Sequence, residues 1–159
     1  MQIYKSLITD IPNFPKQGVT FKDISPLLKS NKFTNVINDL YKSVELPDYW
    51  VGIDSRGFIF ASALANKSGG FIMCRKKGKL PPPVISETYT LEYGTDTLEI
   101  QPGSGTVVIV DDVYATGGTM EAAEKLCIKA GYTVIDKLVL IDLKFLHESN
   151  KVKSLIQYE

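Results

Sequence analysis

The stretch VVIVDDVYATGGT, Val107 to Thr119, decides how the chain folds. Its first half is rich in β-branched apolar residues and reads as a strand over 106–110. Met120, Ala123, Leu126, Cys127 and Ala130 recur at helical spacing, so 119–130 reads as a helix with that stripe in the core and Gly131 as its C-terminal stop. Between strand and helix lies a polar turn. Gly117 and Gly118 let the backbone bend tightly and present N–H groups, while Thr116 and Thr119 add hydroxyl donors. The helix start contributes roughly +0.5 of a charge, so the turn is a cradle for a phosphate. No lysine follows the glycines, which sets it apart from a P-loop.

Asp111 and Asp112 sharpen this reading. Two carboxylates beside a phosphate repel it by about 1 kcal/mol at ~4 Å in water, and by about 4 kcal/mol at an effective dielectric of ~20. They are tolerable where hydroxyl donors or a cation lie between. A ribose 5-phosphate has that layout: phosphate on the glycines, sugar hydroxyls on the acids, and Mg2+ close by if a second phosphate group is present. The plainer alternative is a strand-to-helix turn without a ligand. The apolar strand, the acid pair and ATGGT in that order favour the ligand.

Working outward, Trp50–Ile53 is a short apolar strand that ends in Asp54-Ser55-Arg56-Gly57 and runs into a helix over 58–67. Phe71–Cys74 is another strand, ending in Arg75-Lys76-Lys77-Gly78-Lys79. After a proline triplet, alternating segments around Gly94 predict a hairpin up to Ile100. Phe33, Val36, Ile37, Leu40, Tyr41 and Val44 predict a helix capped by Ser30 or Asn31, and Val134–Leu143 a last strong strand before a weakly patterned tail. Strands alternating with helices predict an α/β fold, a mostly parallel sheet with helices on both faces, in a single domain over 1–159. Ligands of such sheets bind beyond the carboxyl ends of the strands. The clusters at 54–57, 75–79 and 111–119 all lie at such ends.

Composition excludes other classes. Lys+Arg and Asp+Glu both number 18, so the net charge is zero, against a protein built to grip nucleic acid backbone. Cys74 and Cys127 sit in apolar stretches without a metal-binding pattern and are expected as reduced, buried thiols. No run approaches the ~18 apolar residues of a membrane span, and MQIYKSLITDIPNF turns polar too soon for a signal peptide, so a cytoplasmic location is expected. The basic residues include only two arginines, Arg56 and Arg75. Arginine's planar fork suits phosphate in a way lysine cannot copy.

With these residues in place, Val107–Thr119 resembles the phosphoribosyl-pyrophosphate signature of the type I phosphoribosyltransferases. FPKQGVTFKDISPLL (14–28), GIDSRGFIFASALA (52–65), RKKGKLPPPVISETYTLEYG (75–94) and DDVYATGGTMEAAEKL (111–126) resemble its adenine-specific branch. The resemblance implies a small N-terminal hood at about 1–28 and an antiparallel flap at about 80–98. It implies purine salvage: the phosphoribosyl group of 5-phospho-α-D-ribose 1-diphosphate passes to adenine, giving AMP and pyrophosphate. Asp111 and Asp112 would hold the ribose hydroxyls, and Ala115, Thr116, Gly117, Gly118 and Thr119 the 5-phosphate. Asp54, Ser55, Arg56, Arg75 and Lys79 would meet the pyrophosphate, with Asp54–Ser55 a candidate non-proline cis peptide. Thr20, Phe21 and Lys22 would surround adenine. Glu92 would take the adenine proton, Arg56 would assist catalysis, and Tyr93 would pack against the site from the flap. Mg2+ would arrive with the donor rather than on a protein cage, and a homodimer is implied, without nucleic acid or membrane partners.

The anomeric chemistry agrees. Displacing pyrophosphate passes through an oxocarbenium-like centre and needs charge stabilisation and a lid rather than a protein nucleophile. Departures from the family pattern are Lys22 where arginine is usual, and Pro82, in a proline triplet, where many members place glycine. Two alternatives stay open: the same fold acting on hypoxanthine, guanine or xanthine, and a non-catalytic regulator that senses the donor. His147 is expected at the surface, and Trp50 in the packing.

Overall fold

The computed structural model describes residues 2–91 and 94–159. In chain order these form α1 (Gln2–Lys5), β1 (Thr9–Ile11), β2 (Phe21–Asp23), α2 (Ser25–Leu28), α3 (Phe33–Lys42), β3 (Tyr49–Ile53), α4 (Gly57–Lys67) and β4 (Gly70–Lys76). Then come β5 (Ile85–Leu91), β6 (Gly94–Ile100), β7 (Gly105–Tyr114), α5 (Gly118–Ala130), β8 (Tyr132–Leu143), a 3-10 turn (Lys144–Leu146) and β9 (Lys153–Tyr158). Seven strands make one sheet in the order β5-β6-β4-β3-β7-β8-β9. Its β4-β3-β7-β8-β9 portion is parallel, whereas the β5–β6 hairpin joins the end of β4 in antiparallel fashion. β1 and β2 form a separate antiparallel pair. This is the α/β architecture expected, with a separate N-terminal strand pair and an antiparallel β5–β6 hairpin.

Period-two alternation divides the strands between two cores. Trp50, Val108, Val110, Leu138 and Leu140 pack with Val36 and Leu40 of α3 and with Phe60 and Leu64 of α4. Their strand neighbours Val51, Ile53, Val107, Ile109 and Val139 pack on the other face with Met120, Ala123, Leu126 and Cys127 of α5. Both cysteines are free and buried. Two glycines let α4 lie close to the sheet. A methyl group at Gly52 would come within 2.9 Å of the Ala61 Cβ of α4, and one at Gly57 within 2.7 Å of the Val110 carbonyl oxygen. The carboxyl ends of β3, β4 and β7 therefore sit beside the start of α4.

The structure departs from the sequence expectations at element ends. β4 runs on to Lys76 because β6 pairs with it, Arg75 opposite Glu99 and Lys76 opposite Leu98. β7 continues through the acid pair to Tyr114 because β8 extends alongside, Val113 opposite Ile141 and Tyr114 opposite Asp142. The tail supplies β9, an edge strand parallel to β8; a strand with one partner and a partly solvated face carries little alternation of its own. At the start of α3 the N-cap is Lys32 with no side-chain cap, and Ser30 Oγ accepts the Lys32 N–H at 2.9 Å. Among the described residues no helix is long and apolar enough to cross a membrane.

Candidate active site

β7 carries Asp111 and Asp112 near its carboxyl end at Tyr114, and the turn after it leads into α5, whose N-cap Gly117 has φ 94°. That left-handed value suits glycine, and a Cβ there would also strike the hydroxyl and ring of Tyr114. The turn residues Ala115 to Thr119 wrap a cavity of about 100 Å3. Beside it lies a larger cavity of about 430 Å3, bordered by Asp54, Ser55, Arg56, Asp111, Asp112 and Thr119. Asp111 and Thr119 border both, so the acid pair and the glycine turn flank two adjoining cavities.

Asp112 is 4% exposed. Arg56 Nε stands 2.8 Å from its Oδ2, yet the alignment is not that of a hydrogen bond, and this oxygen accepts none from the described residues. A buried carboxylate oxygen without a donor is costly unless a ligand completes it. Burial first, and then the charge of Asp112, push the Asp111 carboxyl well above the usual carboxylate range; the Asp112 N–H, donating to Asp111 Oδ1 at 2.9 Å, and the Arg56 charge oppose this.

Asp54 and Ser55 join by a cis peptide, as the resemblance implied. The Asp54 N–H donates to the Cys74 carbonyl at 2.9 Å. Its carboxylate faces β4 and accepts from Arg75 Nε and the Lys76 N–H, each at 3.4 Å. Arg75 is thereby turned toward Asp54 and toward the Phe58 ring, 5.9 Å from the guanidinium, and does not border the large cavity. Lys79 is exposed in the turn after β4 and does not border it either. Lys76 and Tyr89 take their place there, two residues that sequence reasoning did not single out. Lys76 Nζ is 2.8 Å from Asp96 Oδ2; that hydrogen bond, outweighing partial burial, raises its pKa. For Tyr89 the signal was available in the alternation of β5, which turns residues 85, 87 and 89 inward.

The hood faces the same site. Phe14 and Phe21 meet edge to face at 5.2 Å, and with Ile11 and Asp23 they border a cavity of about 250 Å3. The Arg56 guanidinium lies 4.9 Å from the Phe21 ring centroid, so one side chain touches both the hood and Asp112. Thr20 is exposed just before β2. The Lys22 side chain turns away from this cavity: Nζ is 2.7 Å from Asp10 Oδ1 and 3.9 Å from the Tyr158 ring centroid. Glu92 and Tyr93 lie outside the described residues.

His147 corrects the surface expectation. Its side chain is 6% exposed, and Nε2 is 2.6 Å from Oδ1 of the fully buried Asp142. The tail that looked unpatterned folds inward on its way to β9, which carries the histidine beneath the end of β7. Trp50 packs as expected, fully buried, its indole N–H donating to the Ser68 carbonyl at 2.8 Å.

Comparisons with known proteins agree with this geometry. The phosphoribosyl transferase domain family matches residues 27–152. An adenine phosphoribosyltransferase of Bdellovibrio bacteriovorus is 51% identical over 162 aligned residues, covering 97% of this chain and 98% of that protein. The crystal structure of adenine phosphoribosyltransferase from Thermoanaerobacter pseudethanolicus superposes with a TM-score of 0.92 at 42% identity, covering 99% of both chains. The Saccharomyces cerevisiae enzyme, solved with an imino-altritol bisphosphate and adenine, has a TM-score of 0.82 at 34% identity and covers 98% of this chain and 95% of that one. With the domain match spanning most of its length and such relatives aligned end to end, the chain belongs to the adenine phosphoribosyltransferase family.

Proposed function

We propose that the two adjoining cavities bind 5-phospho-α-D-ribose 1-diphosphate and that the chain transfers its phosphoribosyl group to adenine, giving AMP and pyrophosphate in purine salvage. The observation that carries this reading is Asp112 Oδ2, buried and without a hydrogen-bond donor among the described residues, at the edge of a cavity that adjoins a glycine cradle. A sugar hydroxyl is the donor that oxygen lacks, and the 5-phosphate suits the N–H groups and hydroxyls of Ala115 to Thr119. The hydroxyls also place donors beside Asp111, whose ionised form burial and Asp112 disfavour.

Arg56 acts at both ends of the transfer. Released from Asp112 as the sugar enters, its guanidinium remains against Phe21 and offers charge to the departing pyrophosphate. Lys76 brings a second cation to the same cavity. Among the described residues no three His, Cys, Asp or Glu side chains gather into a metal cage. The oxygen-rich site fits Mg2+, which would arrive with the donor beside Asp111 and Asp112 and would supply charge neutralisation for the diphosphate. Adenine enters the cavity bordered by Ile11, Phe14, Phe21 and Asp23, beside the Phe14–Phe21 pair, its edge read by backbone at 20–22. Glu92, on the family resemblance, accepts the adenine N9/N7 proton, and Tyr93 packs beside it. Arg75 and Lys79, close to the β4–β5 flap root, meet pyrophosphate when the flap closes.

The yeast relative was solved with adenine, and the Giardia lamblia relative with 9-deazaadenine, which supports adenine as the acceptor. A homodimer is proposed as well; exposed Phe71 and Met73 on β4 give two copies an apolar surface to bury. The location proposed is the cytoplasm. Turnover with donor, Mg2+ and each of adenine, hypoxanthine, guanine and xanthine tests the reading. Adenine is expected to be the only base consumed at an appreciable rate; preference for an oxopurine would overturn it.

A further inference from the structure

We propose that His147 and Asp142 are positioning residues for the phosphate turn, acting through Tyr114; this rests on the reading above that residues 115–119 hold the 5-phosphate. Tyr114 is the last residue of β7, opposite Asp142 on β8, and borders the small cavity. Its hydroxyl and ring press against the Gly117 backbone so closely that a Cβ there could not fit. Whatever sets the plane of this ring therefore sets the position of Gly117, the N-cap of α5 and the centre of the cradle.

His147 sets that plane. The two rings meet edge to face, centroids 4.7 Å apart at 83°, a contact whose energy depends on orientation as well as distance. The imidazole is itself pinned at both nitrogens. Nδ1 accepts the Ser149 N–H at 3.0 Å, which leaves the proton on Nε2 to donate to Asp142 Oδ1 at 2.6 Å. Lys144 Nζ, 3.1 Å from Oδ2, balances the buried carboxylate. Simple filling of this space needs no charge, since an apolar side chain packs there without the desolvation cost of a fully buried aspartate. What a carboxylate–imidazole pair adds is a fixed ring direction, as carboxylates do for the histidines of metal sites. The relay runs Asp142, His147, Tyr114, Gly117, from the end of β8 to the phosphate.

The test compares wild type, His147→Ala, His147→Gln, Tyr114→Leu and His147→Ala/Tyr114→Leu. The readouts are ribose 5-phosphate affinity by calorimetry, steady-state KM for donor and for adenine, and thermal melting. His147→Ala is expected to weaken ribose 5-phosphate and raise the donor KM about fivefold, the loss of one edge-to-face pair. The KM for adenine at saturating donor and kcat are expected to stay within about twofold. His147→Gln, whose amide can keep the Asp142 bond and thus the fold, loses the ring and shifts the same constants with little change in melting. The double variant should be no worse than Tyr114→Leu alone. Wild type failing to bind ribose 5-phosphate would remove the site reading itself. Wild type binding it while both His147 variants bind equally well, or donor and adenine constants worsening together, would overturn the relay alone.

Discussion

Replacing Asp112 by asparagine changes charge and hydrogen-bond capacity at nearly constant volume. The carboxylate offers two acceptor oxygens, one of them buried, without a hydrogen-bond donor among the described residues and 2.8 Å from Arg56 Nε. The amide offers a single acceptor, for which Arg56 and the sugar hydroxyl must compete. A hydrogen bond to a charged acceptor is worth ~1.5–3 kcal/mol. At ~1.4 kcal/mol per factor of ten, losing it weakens donor binding about 10- to 100-fold. Stability moves the other way or hardly at all, because the amide removes the desolvation cost of a buried carboxylate and gives up only an ion pair with the half-exposed Arg56. Calorimetric titration of wild type and Asp112→Asn with donor and Mg2+, beside melting curves of both, reads the two effects separately. Equal donor affinities in two equally stable proteins would refute the assignment of the sugar hydroxyls to this acid.

Asp111 predicts a pH dependence. Its folded pKa lies above the unfolded value of ~3.9, so the protonated carboxyl is favoured by folding, and this contribution is full below ~4 and lost as pH rises through the folded titration. Asp111→Asn is therefore expected to melt higher than wild type at neutral pH, with a gap that shrinks toward pH 4; a gap independent of pH would contradict the burial argument. Gly57→Ala puts a methyl group 2.7 Å from the Val110 carbonyl oxygen, an overpacking cost of ~1–3 kcal/mol readable from the urea midpoint, and an unchanged midpoint would mean α4 can back away freely. Glu99, 7% exposed, accepts the Gly78 N–H at 2.8 Å and the Ser86 hydroxyl at 3.0 Å, which ties the turn after β4 to the flap root. Glu99→Ala should destabilise by ~1–3 kcal/mol and speed hydrogen exchange at Gly78; slow exchange retained there would show that the turn holds without it.

Local chemistry made much of the protein legible before any coordinates. The β-branched run into Asp111-Asp112, the two glycines and the helical stripe from Met120 to Ala130 each carry their structure in a few adjacent residues, so strand, cradle and helix could be placed from spacing. The tertiary structure decided what depends on partners distant in the chain. β9 exists because β8 offers an edge, and β4 reaches Lys76 because β6 returns beside it. Lys22 points to Asp10 and Tyr158 instead of the ligand side, Arg75 turns to Asp54, and His147 is drawn under Tyr114. Backbone preference and apolar period act over a few residues and are written in the chain. The direction of a long polar side chain is chosen by whichever charge or ring packing brings within reach, and that choice is made only when the fold closes.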